Sequence, residues 1–64
     1  MRIWLEKDDK NLDRKFSGRG VLLLKELGLY NEEVIISRNG EIVHDDAELS
    51  DSDEIKLLSV ISGG

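Results

Sequence analysis

Residues 55–64 read IKLLSVISGG, an apolar run that leads into a serine and two glycines. The β-branched and leucine residues of this run predict a last strand over Ile55–Ile61, because such side chains suit the pleated, half-buried surface of a sheet. The glycines that follow favour neither strand nor helix. We therefore predict one domain over residues 1–61 and a flexible Gly-Gly tail over residues 62–64.

Hydrophobic periodicity predicts the elements that precede this strand. Alternating apolar residues predict a hairpin, a stripe of leucines predicts a short helix, and β-branched residues around an Asn-Gly turn signal predict two more strands. The predicted bounds are 1–5 and 12–16 for the hairpin, Arg19–Leu27 for the helix, and 34–36 and 41–43 for the later strands. We expect Ser17 to cap the helix, Gly20 to leave its first turn frayed and Gly28 to end it. Leu49 is expected to point inward from the polar segment before the last strand.

This order of elements predicts a mixed α+β roll. The alternation of the hairpin strands implies a sheet with one covered face, and the single predicted helix must cover it. A mixed sheet of four to five strands results, in which the first and last strands are central neighbours. With 64 residues the chain can bury only a small core, so little of it is left for an internal active site.

Charge is unevenly distributed along the chain. The formal net charge is −5, and residues 31–64 carry nine acidic and two basic side chains. This balance disfavours a nucleic-acid partner, which would call for a basic stripe. Two explanations remain open: the acidic half serves solubility, or it steers the protein toward a basic partner surface.

Several classes of site and location are disfavoured by residue content. Without cysteine there can be no disulfide framework and no thiolate metal site. His44 stands beside Asp45 and Asp46, but one histidine without cysteine is more simply a solvated loop residue, and we expect no metal. The sequence shows no signal peptide and no apolar run long enough to span a membrane, so we expect a cytoplasmic protein.

Three segments in order carry a resemblance to a known family. They are LLKELGL over residues 23–29, VIISRNGEIV over residues 34–43 and LSDSDEIKLLSVISGG over residues 49–64. Together they resemble the ThiS/MoaD sulfur-carrier family and its archaeal ubiquitin-like relatives, whose fold is the ubiquitin-like β-grasp. Two departures are Ser52 where the family usually has glycine, and Ser59-Val60 where the molybdopterin branch often has a proline pair.

The resemblance implies a chemistry for the tail. An ionised carboxylate is a poor electrophile, so a ubiquitin-activating-like adenylyltransferase would adenylate Gly64 and exchange the adenylate for sulfur as a thiocarboxylate. Gly63 and Ser62 would complete the tail that enters this partner. ATP and magnesium would be used by the partner, and the chain itself would be a carrier without a cofactor, not an enzyme.

The resemblance also leaves alternatives open. The sulfur would pass to a downstream acceptor enzyme for thiamine, molybdopterin or tRNA thiolation, and the free carrier is expected to be a monomer. An alternative is a ubiquitin-like modifier that is joined through Gly64 to lysines of target proteins. A third possibility is a plain interaction domain whose tail has no chemical role.

A partner-binding face is expected on the open side of the sheet. If Ile55 and Leu57 face the helix, alternation places Leu58 on the opposite face, with Trp4 on the neighbouring strand. An exposed tryptophan and leucine side by side suggest a contact patch. The alternatives are that the stems of lysine and arginine cover them, or that a bulge turns Leu58 inward. The predicted partner-binding residues are Trp4, Leu58, Val60 and Ile61.

Overall fold

The structure is a computed structural model that describes residues 1–60. It contains seven strands and one helix within that range. Their bounds are β1 Arg2–Leu5, β2 Lys10–Asp13, β3 Gly18–Arg19, α1 Gly20–Glu26, β4 Val34–Arg38, β5 Glu41–Val43, β6 Glu48–Leu49 and β7 Glu54–Ser59.

Five of the strands form one mixed sheet in the order β2-β1-β7-β4-β5. The first strand β1 runs parallel to β7, and the other neighbours in the sheet are antiparallel. The prediction that the first and last strands are central neighbours is confirmed. The predicted α+β roll, of the ubiquitin-like β-grasp type, is confirmed as well. A separate ribbon of two two-residue strands, β3 and β6, was not predicted.

The core lies between the helix and one face of the sheet. The most deeply buried side chains come from β1, α1 and β7, and each is at most 1% exposed: Ile3, Leu23, Leu24, Ile55 and Leu57. This confirms the predicted leucine stripe and the inward direction of alternate residues on β7. Leu49 is buried as expected. Among residues 1–60, no helix is long and apolar enough to cross a membrane.

The start of the helix differs from the prediction. Ser17 is not the cap: Arg19 occupies the N-cap position with extended backbone and makes no capping hydrogen bond through its side chain. The first turn is not frayed either, because the Gly20 amide donates to the Ala47 carbonyl at 3.0 Å and the Val21 amide donates to the Asp45 carbonyl at 2.8 Å. A neighbouring loop therefore satisfies the free amides that a side chain would otherwise cap.

The two predicted turns have different outcomes. Asn39 and Gly40 have φ of 51° and 85°, which matches the tight turn that joins β4 to β5. In the hairpin, β2 ends at Asp13 and not at Phe16, so the predicted bounds of 12–16 are wrong. The chain leaves the sheet there because the Phe16 amide donates to the Asp51 carboxylate at 2.9 Å, which draws this segment toward the loop before β7.

Candidate functional site

The face of the sheet that the helix leaves uncovered carries a row of paired residues. Trp4 on β1 is paired with Lys56 on β7, and Lys56 is paired with Ser37 on β4. Ser37 is paired in turn with Ile42 on β5. Ile35 and Leu58 form the next pair on this face: Leu58 comes two residues after Lys56 in β7, and Ile35 comes two residues before Ser37 in β4. Since cross-strand partners share a face, this register brings side chains from four strands together.

Five apolar side chains lie on this face, together with polar residues such as Lys56 and Ser37. We call the five of them the sheet patch: Trp4, Ile35, Ile42, Leu58 and Val60. Trp4 and Leu58 are half-buried, whereas Ile35, Val60 and Ile42 are 37%, 46% and 61% exposed. Exposed apolar side chains that cluster in this way are typical of protein interaction surfaces. The structure thus gathers Trp4, Leu58 and Val60, which the sequence assigns to partner binding.

Leu58 lies in a regular part of the sheet, with its side chain on the open face. The pairing of β4 with β7 is continuous from Val34 opposite Ser59 to Arg38 opposite Ile55, so no bulge turns Leu58 inward. Lys56 lies between Trp4 and the β4 side of the row and is exposed. The lysine therefore separates Trp4 on β1 from the patch residues on β4 and β5.

Trp4 has a fixed partner at the hairpin turn. Its indole Nε1 donates to Asp9 Oδ1 at 3.2 Å. Asp9 has a φ of 46°, a left-handed conformation that aspartate tolerates better than most residues. The turn therefore bends toward the open face, where it can hold the ring of the single tryptophan of the chain.

The end of β7 is held from both sides. On the β4 side, the Val60 amide donates to the Glu33 carbonyl at 3.0 Å. On the β1 side, the Ser59 amide donates to Glu6 Oε1 at 2.9 Å. Because both strand neighbours contribute a partner, the direction in which the chain leaves the sheet is defined as far as Val60.

A cleft of about 240 Å³ lies on the helix side of the same strand end. Its apolar walls are Leu5, Leu29, Val34 and Leu57, and Ser59 lies at its margin. The space between the helix side of the sheet and the chain around it is therefore not fully closed at the end of β7.

The predicted tail lies outside the described residues. It comprises Gly64, to which the sequence assigns the reacting carboxylate, the tail residues Gly63 and Ser62, and Ile61, the fourth predicted partner contact. Their roles and the boundary between residues 61 and 62 stay predictions.

The cluster around His44 has contacts within its own loop. Nδ1 of His44 accepts a hydrogen bond from the Asp46 amide at 3.1 Å and lies 2.8 Å from Asp45 Oδ1. The other oxygen of Asp45 accepts a hydrogen bond from Asn31 Nδ2 at 2.8 Å. His44 is exposed. These bonds tie the loop after β5 to the segment after the helix, and they give the three side chains a local structural role.

Three residues of the site were missed by the sequence reasoning. Ile35 and Ile42 belong to predicted strands, and their face follows from the Asn39-Gly40 turn, because a two-residue turn fixes which residues pair across it. That signal was present in the sequence. Glu6 had no such signal, because its role depends on where β1 stops beside β7.

The fold and the open face together define a class of protein. One helix packed on a mixed five-stranded sheet whose first and last strands are parallel neighbours is the ubiquitin-like β-grasp, here with its last strand leading out beside an apolar patch. The family model of the ThiS family matches residues 4–64. The chain belongs to the ThiS family, a family of sulfur carriers of the ThiS/MoaD type.

A solved structure agrees with this assignment. The chain is similar to the solution NMR structure of a thiamine biosynthesis protein from Geobacter metallireducens, with 25% sequence identity and a TM-score of 0.59. The match covers 100% of this chain and 88% of that protein. No relative was matched among curated proteins. Membership of the family implies a sulfur-carrier role and, in general terms, an activating enzyme and a sulfur acceptor as partners.

Proposed function

We propose that this protein carries sulfur as a thiocarboxylate on Gly64. The observation that carries the proposal is the position of the last strand: β7 leaves the sheet at the sheet patch, and only the four residues 61–64 separate that point from the Gly64 carboxylate. Four extended residues reach about 13 Å, which is enough to enter a partner docked on the patch. The family match includes this segment.

The chemistry proceeds in balanced steps on the partner. A carboxylate oxygen of Gly64 attacks the α-phosphorus of ATP, and pyrophosphate leaves. The terminal sulfur of a persulfide then attacks the carbonyl carbon, and AMP leaves with the electron pair of the broken C–O bond. A thiol cleaves the resulting S–S bond and is oxidised to a disulfide, which releases the thiocarboxylate.

Sequence features support this role for the tail. Glycine has no Cβ, so a narrow channel can close around the backbone and a nucleophile can approach the carbonyl. The chain contains no cysteine, so it has no thiol of its own to hold sulfur as a persulfide. ATP and magnesium belong to the activating partner in this scheme, and the chain acts as substrate and carrier.

We further propose thiamine biosynthesis as the recipient pathway among the three that the family resemblance allows. The similar structure from Geobacter metallireducens is described as a thiamine biosynthesis protein. In addition, Ser59 and Val60 stand where the molybdopterin branch often has two prolines. The downstream sulfur acceptor would then be an enzyme of that pathway.

The proposal is tested by deletion of Gly64. ATP–pyrophosphate exchange is measured with the cognate activating enzyme, and we expect exchange to fall to background because the reacting carbonyl moves by one residue. Appending one residue after Gly64 should have the same effect. Far-UV circular dichroism should show an unchanged fold for both variants. Unchanged exchange after the deletion would exclude the tail from the mechanism.

A further inference from the structure

Two polar side chains stand among the apolar residues of the sheet patch. Ser37 on β4 and Lys56 on β7 lie directly opposite each other in the register of the two strands. The row continues to Trp4 beyond Lys56 and to Ile42 beyond Ser37. Charged residues are depleted at the centre of protein interfaces, so a lysine in this position calls for an explanation.

Ser37 carries a hydroxyl group without a partner. The residue is only 7% exposed, and its hydroxyl makes no hydrogen bond with any of residues 1–60. Polar side chains that are placed so deeply normally find a partner. Because Ile36 points into the core, the side chain of Ser37 faces the open side of the sheet. The hydroxyl is therefore directed toward whatever docks on the sheet patch.

Lys56 also has no partner in the described part of the chain. Its side chain is exposed, and no acidic group of residues 1–60 forms an ion pair with it. The preceding row on this face holds Asp13 and Glu54, which stand on either side of Arg2. Neither of these carboxylates contacts Lys56. An ammonium group and a hydroxyl group thus lie side by side on the open face, both free to bind a ligand.

We propose that Ser37 and Lys56 together select a carboxylate on the activating enzyme that docks on the sheet patch. The Cβ atoms of directly opposed residues in antiparallel strands lie about 4.5–5.5 Å apart, so both donors can reach the two oxygens of one carboxylate. Docking against a purely apolar surface would remove water from both groups without replacing its hydrogen bonds. The inference deepens the proposed function and rests on it for the identity of the partner.

Titration calorimetry with the cognate activating enzyme, in the absence of ATP, distinguishes a carboxylate from an apolar contact. Lys56→Met removes the charge and keeps an unbranched side chain. We expect its affinity to fall about thirtyfold, because the carboxylate of the enzyme would be buried without a partner. An apolar contact predicts that methionine binds more tightly than lysine, and that result would overturn the proposal. Lys56→Arg keeps the charge and should bind more tightly than Lys56→Met.

Ser37→Ala tests the hydroxyl group. We expect the affinity to fall about tenfold, whereas urea denaturation should show no loss of stability, because the hydroxyl has no partner within the described chain. When Ser37→Ala and Lys56→Met are combined, the two losses should not multiply, since both groups bind the same carboxylate. Wild-type affinity in Ser37→Ala, or losses that multiply, would overturn the shared carboxylate.

Lys25 provides the matched control. It is exposed in the last turn of α1, on the other side of the sheet, and Lys25→Met should leave the affinity at the wild-type value. An equal fall in Lys25→Met would mean that overall charge controls binding, and it would overturn the proposal. Sedimentation of the wild type as a dimer that Lys56→Met dissociates would place a second copy on the sheet patch, with the same consequence.

Failure of this inference can be told apart from failure of the proposed function. If the wild type supports pyrophosphate exchange and Lys56→Met binds more tightly, the function stands and the carboxylate is excluded. If the wild type binds the enzyme but supports no exchange, the proposed function fails, and the calorimetry still decides the roles of Ser37 and Lys56. A wild type that does not bind the enzyme at all would overturn both.

Discussion

Gly20 stabilises the start of the helix, although the low helix propensity of glycine predicts the opposite. In a sequence, glycine at a helix start indicates a weak first turn. In the structure, a Cβ at this position would lie 2.6 Å from Ile36 Cδ1 and 3.1 Å from the Asp45 carbonyl oxygen. The absence of a side chain lets the helix approach β4 and the loop that follows β5. Close packing of this kind could not be predicted from propensity.

We expect Gly20→Ala to lower the free energy of unfolding by about 1–3 kcal/mol, because the added methyl group overpacks the contact with Ile36. Urea denaturation measures this. Ile36→Val removes the clashing Cδ1 and should itself cost about 0.5–1.5 kcal/mol. The double variant should be more stable than the sum of the two single effects predicts. Strict additivity would show that Ile36 is not what opposes the methyl group.

At the scale of elements, the turn before β7 depends on aspartate side chains. The Ser50 amide donates to Asp53 Oδ2 at 2.8 Å, and Asn39 Nδ2 donates to Asp53 Oδ1 at 3.1 Å. These two bonds lower the pKa of Asp53 below its usual range. The Phe16 amide and the amino group of Met1 lower the pKa of Asp51 in the same way. Ser52, where the family usually has glycine, is not among the residues with positive φ.

These carboxylates should make the fold sensitive to acid. A lowered pKa in the folded state means that the unfolded chain binds protons more readily, so the stabilisation is present above about pH 4 and is lost as the pH falls further. We expect the urea midpoint to fall between about pH 5 and pH 3. Asp53→Asn should show a smaller fall, whereas Asp8→Asn, in the exposed hairpin turn, should follow the wild type. Identical pH profiles for all three proteins would contradict this role of Asp53.

A strand could be predicted from the sequence where its hydrophobic pattern extends over several residues or adjoins a recognisable turn. The predicted strands alternate over several residues or flank an Asn-Gly turn, and all of them exist. The ribbon of β3 and β6 has two residues in each strand, too few for any period, and it forms only because the chain brings Gly18 opposite Leu49. The end of β2 was misplaced because Asp51, distant in sequence, binds the Phe16 amide.

The candidate site follows the same rule. Alternation along β7 was enough to place Leu58 on the open face, and Trp4 followed from the pairing of the first and last strands. Glu6 could not be found in this way, since its bond to Ser59 exists only where the backbone of β1 turns away from β7. The alternation of the sequence therefore predicted which face of the sheet carries Leu58 and Trp4. The bond of Glu6 at the end of β7 could be seen only in the three-dimensional structure.

At the scale of the whole molecule, most of the sheet patch and most of the acidic side chains come from the same half of the sequence. Residues 31–64 carry nine acidic side chains and contribute Ile35, Ile42, Leu58 and Val60 to the patch. Leu22, which is 51% exposed, belongs to the helix on the opposite side of the sheet. Leu58 and Leu22 therefore lie on opposite sides of the sheet, and a substitution at Leu22 can serve as the control for the same substitution at Leu58.

We expect Leu58→Asp and Trp4→Asp to weaken binding to the activating enzyme by at least ~2 kcal/mol, because charge would be buried at the centre of the contact. Leu22→Asp makes the same change outside the sheet patch and should leave the affinity unchanged. Titration calorimetry measures the three affinities, and urea denaturation compares stability. Unfolding of both patch variants in mild denaturant would mean that these side chains serve the core instead.

The most direct test is the mass of the protein isolated from a cell that contains its native pathway. The thiocarboxylate proposed for Gly64 predicts a species heavier by the difference between one sulfur and one oxygen, with tandem fragmentation placing that difference on Gly64. A reagent that alkylates thiocarboxylates should label this species alone. Failure to find it, together with Gly64 in isopeptide linkage to lysines of other proteins, would replace the carrier with a modifier. Finding neither form in a cell with an active activating enzyme would contradict any chemical role for the tail.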